Sequence, residues 1–110
     1  MASTPWYKQA IFYQINLISF FDGIGTGRGN LRGLTQKLDY LQSLGIDCFW
    51  LMPITKSPLR DGGYDVSDFY QVAPRYGSNE DLRRLFAEAK KLGMRVLLDL
   101  VPGHTSIQHP

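Results

Sequence analysis

Cysteine is nearly missing from this chain. Cys48 stands alone among 110 residues, which excludes a disulfide framework or a cysteine-rich zinc site built within the chain and suits a reducing compartment. Long hydrophobic runs are missing as well. No stretch approaches the roughly 18 apolar residues of a membrane span, and Met1 to Ala10 holds no apolar core of the signal-peptide kind, so a membrane is excluded and the expected location is the cytoplasm. Twelve basic side chains against ten acidic ones leave a net charge of +2, spread over both halves. That balance supplies no field to draw a nucleic acid. A dinucleotide fingerprint is also lacking. Gly23 and Gly25 would need a third glycine where Arg28 stands, and Gly25 and Gly27 would need one where Asn30 stands. What remains is apolar substance: 44% hydrophobic and 13% aromatic residues, enough for one small globular domain and contrary to disorder.

The pattern of that apolar content alternates strand and helix. Ala10 to Ile18 is rich in β-branched and aromatic residues and leads into the glycine-dense loop DGIGTGRGN. Leu31, Leu34, Leu38, Leu41 and Leu44 then fall at spacings of three and four, predicting one helix capped by Asn30 and ended by Gly45. Ile46 to Met52 is a short apolar run stopped by Pro53, as expected of a strand covered on both faces. A long loop is expected from Pro53 to Gly77. Ser78, with Asp81 three residues on, predicts a capping box for a second helix whose stripe is Leu82, Leu85, Phe86, Ala89 and Leu92. Met94 to Val101 is the third strand. SLGIDCFWLMP and KLGMRVLLDLVP repeat the same helix end, Leu-Gly stop and proline-closed strand. A repeated β-α unit implies parallel strands with right-handed crossovers, in a doubly wound sheet or a barrel. A complete (β/α)8 barrel needs about 250 residues, so residues 1–110 are read as the opening β-α-β-α-β part of something larger.

Three places invite chemistry. The glycine loop after the first strand reads, by its composition, as a surface loop. The loop after the second strand sets Tyr64 beside Asp65, a flat ring next to an acceptor of two hydrogen bonds, the pairing that recognises a sugar's C–H face and its hydroxyls. Equally open is a structural reading, with Tyr64 and Phe69 anchoring the loop while Asp65 and Asp68 cap turns. The third strand carries Asp99, a carboxylate that is costly in an apolar strand unless paired. Arg95 lies roughly 13 Å away along a strand rising about 3.3 Å per residue, too far to reach, so a cation or several donors are expected, from an element that need not belong to this chain. His104 follows just past the strand's C-terminal end, the face on which β/α folds place ligands.

YQINLISF, LRGLTQKLDYLQSLGID, WLMPITKSPLRDGGYDVSDFY and LLDLVPGHTSIQHP together resemble, over residues 6–110, the start of the catalytic barrel of the α-amylase family, glycoside hydrolase family 13. Within it they look most like the α-glucosidase, oligo-1,6-glucosidase and trehalose synthase branch. The resemblance implies a retaining hydrolase or transglycosylase of carbohydrate metabolism, acting on α-glucosidic bonds in an α-linked glucose oligosaccharide or disaccharide. Tyr64 would stack on the glucosyl unit, Asp65 would bind its hydroxyls, and His104 would bond the same sugar. Asp99 would hold an arginine on the next strand. The family's two catalytic carboxylates follow barrel strands four and five, with a third acid after strand seven. None is implied here, so the remainder of the barrel is needed and the 110 residues alone are expected to be inactive. The other reading is a non-catalytic barrel relative acting as an interaction domain, which would have no need of Tyr64, Asp65, Asp99 and His104 together.

No cofactor is required by the resemblance, but the branch often binds calcium in the loop after the first strand. Asp22 and Asn30 are the candidate ligands there. Ile24 and Thr26 stand where the family tends to carry asparagine and aspartate, and Gly103 replaces the asparagine that commonly precedes the histidine.

Overall fold

The structure is a computed structural model that describes residues 5–57, 64, 66–99 and 105–107. A short helix α1 (Trp6–Gln9) precedes strand β1 (Phe12–Ile15) and a 3-10 turn (Leu17–Ser19). Helices α2 (Leu31–Gln36) and α3 (Leu38–Ser43) lead to β2 (Cys48–Leu51), β3 (Thr55–Lys56), β4 (Asp68–Val72), helix α4 (Asn79–Lys91) and β5 (Arg95–Leu98). β1, β2 and β5 form one parallel sheet in that order, with Phe12 opposite Cys48 and Cys48 opposite Arg95. This is the expected β-α-β-α-β frame, the N-terminal part of a (β/α)8 barrel.

The caps are those the side-chain chemistry predicts. Asn30 Oδ1 accepts from the Gly33 N–H at the start of α2, and Ser78 and Asp81 exchange both bonds of a capping box on α4. Leu31, Leu34, Leu38 and Leu41 are buried against Ile15, Phe49 and Leu51 of the sheet, with Leu85, Ala89 and Met94 completing the core. Gly33 lies so close to the preceding loop that a Cβ would sit 1.9 Å from the Phe21 carbonyl oxygen.

Five expectations are corrected. The helix predicted from Leu31 to Leu44 is broken at Lys37, where φ is −102° and ψ is 8°. The Thr35 hydroxyl donates to the Leu31 carbonyl at 2.9 Å, a bond that bends a helix, and Gly33 weakens the same segment. Leu44, expected in the buried stripe, is 53% exposed, because the chain has left the helix at that point. The loop from Pro53 to Gly77 holds an antiparallel pair of strands, β3 and β4, whose register shifts between Thr55 and Lys56. Finally, β2 is not covered along its whole length: Cys48, Phe49 and Leu51 are buried, whereas Trp50 is 38% exposed. Phe86 of α4 is likewise exposed, in a groove with Ile54, Tyr70 and Leu98.

Candidate functional site

The C-terminal ends of the parallel strands gather the polar groups. The register that sets Trp50 of β2 opposite Leu97 of β5 brings its indole beside Asp99, the residue after β5. Trp50 Nε1–H donates to Asp99 Oδ1. From the loop after β2, the Tyr64 hydroxyl donates to Asp99 Oδ2 at 2.6 Å. Both carboxylate oxygens are therefore engaged by donors from within the chain, Trp50 and Tyr64. Trp50 is the member of this cluster that sequence reasoning missed. A signal existed, since an indole N–H on a core strand needs an acceptor and Asp99 needs donors.

Of the predicted site residues, Tyr64 and Asp99 are brought together. Asp65 and His104 lie outside the described residues. Their described neighbours meet: the Ser106 N–H donates to the Val66 carbonyl at 2.9 Å, and Val66 is buried. Asp68 accepts from the Tyr70 N–H at 2.9 Å within β4, and the Ser67 hydroxyl donates to the Lys56 carbonyl, tying the same segment to β3. Chemically, the arrangement is a tyrosine fixed by its hydroxyl, with a half-buried ring, beside a carboxylate held by two donors.

The glycine loop between the 3-10 turn and α2 is built around Asp22. Its Oδ1 accepts from the N–H groups of Ile24 and Gly25 and from Asn30 Nδ2, and its Oδ2 accepts from the Gly27 N–H. Gly25 and Gly27 take φ of 81° and 84°, which turns their N–H groups inward. The Ile24 N–H foremost, then Gly27, Asn30 and Gly25, holds the Asp22 carboxyl down to about 2, against a burial effect of opposite sign. A calcium ion takes about six to eight oxygen ligands. Here one carboxylate faces four N–H donors, and the Asn30 oxygen is turned away toward Gly23 and Gly33. The donor set does not fit calcium, and among the described residues no group of three or more His, Cys, Asp or Glu could hold a metal. No helix of the described residues is long and apolar enough to cross a membrane.

The alpha-amylase catalytic-domain family profile matches residues 14–110. Trehalose synthase/amylase TreS of Mycobacterium tuberculosis is 51% identical over 109 residues, which are 99% of this chain and 18% of that protein. Oligo-1,6-glucosidase of Heyndrickxia coagulans is 48% identical over 106 residues, 96% of this chain and 19% of that one. Trehalulose synthase MutB of Pseudomonas mesoacidophila superposes with a TM-score of 0.95 at 51% identity, covering 98% of this chain and 19% of that one. A mutant of MutB has been solved with its substrate sucrose bound. The chain thus spans about a fifth of the length of the relatives it matches.

Proposed function

We propose, since this chain belongs to the α-amylase catalytic-domain family, that it is the N-terminal portion of a retaining α-glucoside hydrolase or transglycosylase, in which it supplies sugar binding and not the catalytic carboxylates. Its relatives fall in the α-glucosidase branch of that family and process α-glucosides in carbohydrate metabolism. Tyr64 presents its ring to the glucosyl unit, Asp65 and His104 bind hydroxyls, and Asp99 keeps Tyr64 in place. The substrate is an α-linked glucose disaccharide or oligosaccharide.

The observation that carries this reading is the pair of hydrogen bonds that Asp99 accepts from Tyr64 and Trp50 at the C-terminal ends of the strands, where barrel enzymes bind their ligands. Its hydroxyl bond to Asp99 holds Tyr64 at that end of the sheet. Retaining glycosidases cleave with a nucleophile and a general acid about 5 to 5.5 Å apart, and the family resemblance assigns both to later strands. The test begins with the coding DNA past codon 110. An open frame that adds an aspartate, a glutamate and an aspartate in barrel-strand contexts is expected. The longer protein should then act on maltose, isomaltose or trehalose. Asp65→Ala and His104→Ala should each lower kcat/KM by at least about 100-fold, as loss of hydrogen bonds to a buried sugar does. Full activity in both variants would defeat the assignment.

A further inference from the structure

We propose that the loop of residues 22–30 closes on itself without a metal ion, with the Asn30 side-chain amide supplying to Asp22 the positive pole that calcium supplies in a ligand-rich loop. Asn30 is 1% exposed and uses its whole hydrogen-bonding capacity. Its Oδ1 accepts from the backbone N–H of Gly23 at 3.1 Å and of Gly33 at 2.8 Å. Its Nδ2 donates to Asp22 Oδ1 at 2.9 Å and to the Arg28 carbonyl at 3.2 Å. Only one orientation of the amide satisfies this set. The reverse would point the NH2 at two N–H groups and the oxygen at a carboxylate and a carbonyl.

The same side chain therefore caps α2 and clasps the loop, and it is asparagine rather than aspartate that can do both. Aspartate at position 30 could accept from Gly33 equally well. Its second oxygen, however, would face Asp22 Oδ1 and the Arg28 carbonyl, three oxygens turned toward one point. Those three oxygens repel one another and fall short of the about six to eight that calcium takes. With asparagine there, the remaining groups that face Asp22 are the N–H groups of Ile24, Gly25 and Gly27, none of which can turn into a ligand. The Thr26 hydroxyl is engaged with Arg28, donating to its carbonyl at 3.2 Å.

The experiment is thermal unfolding of the 110-residue chain and of Asn30→Asp, each in excess EGTA and in millimolar calcium chloride, with calcium uptake followed by calorimetry. The wild-type midpoints should coincide in the two buffers, with no saturable uptake. Asn30→Asp should unfold about 5 °C lower in both buffers, since it loses the donor to Asp22 and gains no ligand set. A wild-type midpoint that rises with calcium overturns the proposal. So does an Asn30→Asp variant that matches wild type in EGTA. Absence of any cooperative transition in the wild-type chain overturns it too, because the clasp would then close nothing.

Discussion

Asp99 has one donor on each carboxylate oxygen, and the two donors come from different segments, so the contribution of each can be measured separately. Trp50→Phe keeps an aromatic ring in place and removes only the N–H. The expected cost is about 1 kcal/mol in urea unfolding, at the low end for a charged acceptor because both groups remain partly open to water. Tyr64 keeps its own bond to the other oxygen in that variant. Part of this cluster was legible in the sequence: a carboxylate in an apolar strand announced that donors had to exist. Their identity was not, because it depends on the register between β2 and β5, which sets Trp50 opposite Leu97, and no local pattern encodes a register between strands separated by a helix.

α4 shows how a helix end is fixed by a few side chains. The Asp81 carboxylate accepts from the Ser78 N–H at 3.0 Å and from Arg32 Nε at 3.2 Å, joining α4 to α2. Burial pushes its pKa up, but the Ser78 N–H and Arg32 outweigh that and leave it below the ordinary carboxylate value. A depressed folded-state pKa gives stability that is present above the unfolded value and is lost as pH falls through the folded one. Asp81→Asn should therefore cost about 1 kcal/mol at neutral pH, the difference shrinking below about pH 4 as wild-type Asp81 protonates; acid titrations followed by circular dichroism compare the two. The helix ends at Asn30, Gly45, Ser78 and Gly93 were readable because capping is local chemistry. β3 and β4 were not, since β3 has two residues and its pairing with β4 is interrupted by a register shift. The break at Lys37 escaped for a related reason: the leucine stripe continues across it, and periodicity reports which face is buried but not whether the backbone bonds run on.

As a whole, the molecule offers one face of a barrel wall. Its outer side is covered by the leucine stripe of α2 and α3, while Phe12, Trp50 and Leu97 stand 38–43% exposed. The barrel itself was legible from the repeated Leu-Gly-strand-proline unit and from the family motifs. Coverage of β2 was misread only at Trp50, because a continuous apolar run predicts burial on both faces without saying which elements supply it. The 110-residue polypeptide should show no turnover of an aryl α-glucoside, since the paired carboxylates of a retaining mechanism are assigned to later strands; a rate above the buffer blank would contradict this. The connectivity of the sheet also has a consequence in time. Both neighbours of β2 reach it only across a helical crossover, so no tight turn between adjacent strands can seed the sheet. The entropy of closing each crossover must be met before a parallel pair can reward it, which makes the helices the quick, local events of folding and the meeting of β1, β2 and β5 the slow step.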